Sequence, residues 1–292
     1  MDILTNIKQH FAKGTIVTKL LFINVGLFFL LRLIFVVFTL FQIEDVHWIE
    51  YLQMPSSFRL LMYRPWSMIT YMFVHLDFLH ILFNMLWLYW FGRIFLLFFT
   101  ERQFGGLYLT GGIAGAIFFL LAYHIFPYFR NVADYSVLIG ASASVMAIVF
   151  AVSFYRKNYE INLMFIGRIK LIYLALFALV IDLLSMASAN AGGHIAHIGG
   201  ALFGILFATR LEKGKDLTVL VNRFIDRIVN IGKRRPVRMK VTYKRQETDA
   251  DYNMRKHEET ETLDEILDKL KRSGYQSLSA EEKKTLFDAS KK

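Results

Sequence analysis

The stretch Gly140-Ala141-Ser142-Ala143-Ser144 heads an apolar segment that runs on to about Ser153. A hydroxyl between residues this small leaves room for a second helix to come close. Serine is a weak nucleophile until a base takes its proton, and near neutral pH the usual base is a neutral imidazole. His197 is the candidate. In His194-Ile-Ala-His197-Ile-Gly-Gly200-Ala-Leu-Phe-Gly204 the residues His197, Gly200 and Gly204 fall at i, i+3 and i+7, a single helical stripe with the imidazole at one end. Attack on an amide creates an oxyanion that needs preorganised donors. His80-Ile-Leu-Phe-Asn84 places a ring and an amide one turn apart on one face, and their N–H groups and the backbone N–H of Ser142 are the candidates. Gly140 leaves space around the tetrahedral centre, while Gly200 and Gly204 allow close helix packing. No carboxylate stands at an obvious spacing from His197, so the reading is a Ser142–His197 dyad.

These residues lie in long apolar runs. The 292-residue chain is 55% hydrophobic and 16% aromatic, with positive mean hydropathy, the composition of an integral membrane protein. Six spans are predicted near 19–41, 72–99, 105–126, 137–154, 169–189 and 191–210. The net charge of +10 does not point to nucleic acid, because the basic residues sit between apolar runs and after the last one. Arg93 and Arg102 lie in the second connection and Arg156, Lys157, Arg168 and Lys170 in the fourth, whereas the first carries Glu44, Asp45 and Glu50 beside Arg59 and Arg64. That asymmetry puts both termini in the cytoplasm, which agrees with an even number of spans. His80, Ser142 and His197 then lie near the outer ends of three spans running the same way. Ser142 is expected about 8 Å below the start of its helix. With no cysteine there is no disulfide framework or thiolate site. The first apolar run is too long for a cleaved signal peptide and is expected to stay as a span.

The other polar intrusions have plainer readings. Ser144 faces away from the chemistry and packs. His194 stays near the aqueous mouth, and His75 lies at the external boundary. Arg32 and Asp182 sit at similar depth and are close enough in depth to pair, although local bonding is the simpler expectation. Gly111-x-x-x-Gly115 is a helix-packing site. The first external connection, about 42–67, is rich in aromatic residues and suits the membrane interface. By domain, residues 1–18 are a cytoplasmic N-terminus, 19–210 the six-span membrane domain and 211–259 a basic flexible linker containing Lys233-Arg234-Arg235. Residues 260–292 are a small helical hairpin, its helices opened by capping boxes at Thr262 and Ser279 and separated by Gly274.

His80-x-x-x-Asn84, Gly140-x-Ser142 and Ala196-His197-x-x-Gly200-x-x-x-Gly204, in this order on matching spans, resemble the rhomboid intramembrane serine proteases over roughly residues 15–210. The resemblance implies an all-α, polytopic six-transmembrane-helix bundle, here with a C-terminal cytoplasmic appendage of the kind some bacterial members carry. It implies Ser142 and His197 as catalytic dyad, with His80 and Asn84 on the oxyanion. The implied substrates are transmembrane segments of other membrane proteins, cut near the outer face of the cell (inner) membrane. No cofactor and no metal are implied. Glu101-Arg102-x-x-Gly105 is a further likeness, read as structural. Departures are Arg64-Pro-Trp66-Ser67 where the family often has Trp-Arg, which leaves no expected anchoring role for Ser67. Ala143 stands where glycine is frequent, and Met146 where some members place an aromatic against the imidazole.

Two alternatives differ in class. A non-catalytic relative that binds or escorts transmembrane helices has no need of both Ser142 and His197. A membrane metalloprotein using His75, His80, His194 and His197 lacks a carboxylate at ligand spacing and any His-Glu-x-x-His.

Overall fold

The computed structural model describes residues 3–43, 47–163, 167–186, 190–230 and 249–290. Two compact units divide the chain, residues 1–232 and 233–292. The first contains α1 (Ile3–Lys13), α2 (Ile16–Leu40), the two-residue strand β1 (Met54–Pro55), short helices α3 (Phe58–Tyr63) and α4 (Ser67–Thr70), then α5 (Phe78–Phe95) and α6 (Glu101–Ile125). Strand β2 (Val137–Leu138) precedes α7 (Ser142–Tyr155), and strands β3 (Glu160–Leu163) and β4 (Gly167–Lys170) lead into α8 (Leu171–Leu184), α9 (Ala191–Leu211) and α10 (Val219–Val229). The second unit holds α11 (Asp249–Ser273) and α12 (Ala280–Ala289).

Among the described residues α2, α5, α6 and α9 are long and apolar enough to cross a membrane, while α7 and α8 are apolar but only 14 residues each. The predicted spans near 137–154 and 169–189 are therefore shorter than the sequence suggests. At 1.5 Å per residue α7 is about 21 Å long, against a hydrocarbon layer of ~30 Å. What shortens it is the pairing of β2 with β1, Met54 opposite Leu138 and Pro55 opposite Val137. Residues 137–141 are extended or turning, so Ser142 is the first residue of its helix and not five residues into one. Irregular backbone in such a place must find its hydrogen bonds within the protein. Here Ser56 N–H and Ser56 Oγ–H both donate to Ser136 O, and Gly140 N–H donates to Tyr71 O at 2.9 Å.

The innermost helix is α7, with every residue from Ala143 to Ser153 buried, packed against α5, α6, α8 and α9. Small residues make this possible. A Cβ on Gly200 would lie 2.1 Å from Ala143 O, and one on Gly204 2.2 Å from Ala147 O, so α9 runs against the α7 backbone itself. From the other side, a Cβ on Gly111 would meet Ala147 Cβ at 2.2 Å and one on Gly115 would meet Ala143 Cβ at 2.5 Å. Without a hydrophobic drive between helices in lipid, such backbone-to-backbone contact is what holds them.

Fixed polar contacts set the helix starts. Asp77 caps α5 by accepting from His80 N–H at 2.9 Å, and Thr100 with Gln103 forms a capping box on α6. Glu101 Oε2 accepts from Ile16 N–H at 3.0 Å and Arg102 pairs with Asp226 of α10, which gives this motif its structural partners. The helix α10 lies in a stretch expected as flexible linker. It is ordered by Thr218 and Asn222 against Gly106, where any Cβ would come within 3.0 Å of them. Lys233-Arg234-Arg235, like Glu44 and Asp45, lies outside the described residues.

In the second unit α11 runs through Thr262 without a break, so the capping box expected there does not form. The Thr262 hydroxyl donates to Glu258 O at 2.7 Å instead, because the helix already continues on its N-terminal side. Gly274, at φ 78, ends α11, and the capping box at Ser279 and Glu282 does start α12. Lys269 Nζ donates to both Glu282 oxygens, at 2.8 and 3.0 Å, and Ile266 and Leu278 are buried.

Two expected outcomes follow from these contacts. Gly204→Ala should lower stability by roughly 1–3 kcal/mol through overpacking, read as a fall in Tm of the solubilised protein. Gly26→Ala, inside α2 with nothing within 4 Å, should leave Tm unchanged or raise it, because alanine is the better helix former. In the second unit the Lys269 ammonium, and then the Ser279 N–H, hold the Glu282 carboxyl below the usual carboxylate range. Its contribution to α12 is therefore complete above the ordinary carboxylate pKa and fades as pH falls through the depressed value. Amide protection of α12, corrected for intrinsic exchange, should weaken on acidification in wild type, and Glu282→Gln should abolish that acid step.

Candidate active site

The N-terminal end of α7 is where the polar residues gather. Ser142 is half-buried although the eleven residues that follow are buried, and it has no side chain capping it. The first backbone N–H groups of α7 are thus left free of side-chain acceptors, as donors at a helix start commonly are. The Gly200 and Gly204 contacts fall four residues apart on both α7 and α9, at Ala143 and Ala147, so the two helices run in the same direction. His197, three residues before Gly200, is consequently level with the start of α7.

One cavity of about 740 Å³ is lined by Ser142, His197, His80 and Asn84 together with Asp182 and His194. Its remaining walls are largely apolar, with Phe83 and Trp87 from α5, Val145 and Met146 from α7, and Phe177 and Ile181 from α8. On α5 the Asn84 Nδ2 donates to His80 O at 2.9 Å, which leaves its second N–H for another acceptor. Gly140 backs the His80 ring: its φ is +106°, and a Cβ there would lie 2.6 Å from His80 Cε1 and 2.7 Å from Nε2. Met146 lies on the wall of the cavity that His197 also lines, so α7 presents a thioether there and not an aromatic ring.

The absence of an orienting carboxylate, inferred from spacing, is corrected by the structure. Asp182, in the last turn of α8, is 6% exposed, and its Oδ1 lies 2.8 Å from Nδ1 of His197 and 2.8 Å from Nδ1 of His194. The two imidazoles stand nearly perpendicular, ring centroids 5.7 Å apart. His194, expected near the aqueous mouth, is thus tied to this carboxylate. Asp182 does not pair with Arg32, whose guanidinium donates to Leu76 O. The sequence flagged Asp182 as an ionisable intrusion, but its partners lie across two elements and no local spacing reports them. One ligand atom from each of these three residues lies within 4.8 Å of the other two, close enough for one cation to bridge. His75 and His80 are outside that group.

His75, expected at the external boundary, is buried within the protein. Its Nε2 accepts from Ala141 N–H at 3.3 Å, and its ring meets His80 edge-on at 5.1 Å. Ser67 is also buried, with its hydroxyl 3.7 Å from Met54 Sδ, while Trp66 Nε1–H donates to Tyr51 O and Arg64 covers the Tyr51 ring at 4.1 Å. These contacts hold the segment that carries β1. Ser144 is buried beside Gly112, away from the cavity.

Residues 63–213 match the family model described as Rhomboid domain, and residues 246–292 match one described as a family of unknown function, DUF6576. Among curated proteins the chain is 28% identical over 159 residues to RHOMBOID-like protein 12, mitochondrial, of Arabidopsis thaliana, over 51% of this chain and 47% of that protein. The chain thus spans about half the length of the curated relative it matches.

The geometry around Gly140 yields its own test. A side chain at this positive φ costs on the order of 1–3 kcal/mol, and its methyl has no room beside the ring. Gly140→Ala should lower Tm and shift the His80 ring resonances in NMR spectra of histidine-labelled protein. Unchanged resonances would mean that Gly140 does not hold the ring.

Proposed function

The chain belongs to the rhomboid family, and from that premise we propose that it is an intramembrane serine endopeptidase that cuts transmembrane segments of other membrane proteins. Ser142 is the nucleophile and His197 the base. The serine oxygen bonds to the amide carbon, its proton passes to His197 Nε2, and the carbonyl electrons move onto oxygen. That oxyanion is received by the Ser142 backbone N–H, the free Asn84 N–H and the His80 ring. The imidazolium then gives its proton to the leaving amine, and water releases the acyl group in a second passage through the same base.

The observation that carries this reading is the shared cavity, which brings Ser142 and His197 together from two helices held backbone to backbone by Gly200 and Gly204. Apolar walls from α5 and α8 suit a transmembrane segment entering between those helices and unwinding at the polar end. We take α7 and α8 as the two spans that complete a six-helix core, buried or propped by their neighbours. Both termini are cytoplasmic and the cavity opens toward the outer face of the cell membrane, in keeping with the cations of the second and fourth connections.

The test is cleavage of a reporter transmembrane segment by the full-length protein in liposomes. Wild type should cut it, and Ser142→Ala should lower the rate by several orders of magnitude with folding and membrane insertion unchanged. Cleavage that persists in Ser142→Ala would sink the proposal in favour of an enzyme with another nucleophile, and wild type that binds the segment without cutting it would be an escort.

A further inference from the structure

We infer that Asp182 is a positioning residue for His197, and that His194 locks the Asp182 carboxylate in place. This rests on the protease reading above and extends it from two residues to four. An imidazole can serve as base for Ser142 only if one ring nitrogen is free of a proton and in reach of the hydroxyl. The His197 Nδ1 is 2.8 Å from Asp182 Oδ1, and an ionised carboxylate only accepts, so the proton is on Nδ1 and Nε2 keeps its lone pair. Rotation about the side chain is opposed by that bond, which holds Nδ1 to a buried, fixed oxygen.

The charge argument runs the same way. When His197 takes the serine proton it becomes a cation inside a helix bundle, where water solvates it poorly. A buried carboxylate at hydrogen-bond distance offsets that charge as it appears, and stays ionised throughout. Burying the carboxylate is itself costly unless it is well bonded. His194 supplies the second N–H, also at 2.8 Å and on the same oxygen, from a ring almost perpendicular to the first. Two donors converging from successive turns of α9 fix where Oδ1 stands. The three groups come from two helices, so the arrangement also ties the end of α8 to α9.

The readouts are kinetic and spectroscopic, on the full-length protein. Asp182→Asn preserves shape and removes the charge, and it should lower kcat for the reporter about 10²- to 10⁴-fold with KM within threefold. Asp182→Glu should recover part of kcat, and His194→Gln should lose only several-fold. In histidine-labelled wild type two strongly downfield Nδ1 protons are expected. Both should vanish in Asp182→Asn and persist in Ser142→Ala, which keeps the network without the nucleophile. An inactive Ser142→Ala beside Asp182→Asn at wild-type kcat would overturn this inference and leave the protease reading standing. Cleavage that survives Ser142→Ala would overturn both. Should the wild-type protein carry zinc at these residues, with the Nδ1 protons absent and activity changed by chelation, the site is a metal centre and the positioning role falls. If Asp182→Asn fails to fold, the wild-type spectrum alone decides: without a proton on His197 Nδ1 the inference fails.

Discussion

Everything at the polar end of this molecule depends on α9 lying against the bare backbone of α7. At Gly200 and Gly204 a single added carbon would sit just over 2 Å from a carbonyl oxygen, so the two axes are as near as helices of this kind can come. Dispersion between such surfaces accumulates over many small contacts, and lipid offers no competing hydrophobic drive to separate or join them. The approach does more than hold the core. Because α9 is in register with Ala143 and Ala147, the residue one turn before Gly200 is delivered beside the first residue of α7. A larger residue at either glycine would move the imidazole sideways as well as outward.

How far the sequence could be read follows from how local each signal is. The helices, the glycine stripe on α9, and the facing of His80 and Asn84 along α5 are short-range patterns of period 3.6, and the His80, Asn84 and His197 they single out line one cavity. The break at 137–141 is not local. It exists because β1 pairs with β2 and Ser56 bonds Ser136 eighty residues away, and an apolar run of Val, Leu and Ile gives no sign of it. Asp182 was visible as an anomaly but had no visible partner, since its two imidazoles belong to another helix. At Thr262 the local signal was present and was overridden: a Thr-x-x-Glu pattern caps a helix only when the preceding residues are not already helical, and α11 begins at Asp249.

The polar groups in and behind the cavity show how buried charge is handled in a bundle with few alternatives. One carboxylate is shared by two imidazoles, one carboxamide is half spent on the carbonyl four residues before it, and His75 accepts the N–H of Ala141 where the helix has not begun. Each of these is a bond from a side chain to something in another element or another turn. Together they replace solvent with fixed dipoles, which is the condition under which a hydroxyl and an imidazole can exchange a proton without water reorganising around them.

The shortness of α7 has a last consequence. A helix of about 21 Å exposed to lipid would force the bilayer to thin or the helix to shift. Because α7 is buried from Ala143 to Ser153 among its neighbouring helices, its ends need not coincide with those of the longer helices around it. The depth of the Ser142 hydroxyl is therefore a property of the scaffold: β1, Tyr71 and His75 fix it from one end and the glycines of α9 from the side. A bilayer that does not match the longer outer helices is met by their tilt, which leaves the contacts that hold the hydroxyl among its neighbours as they are.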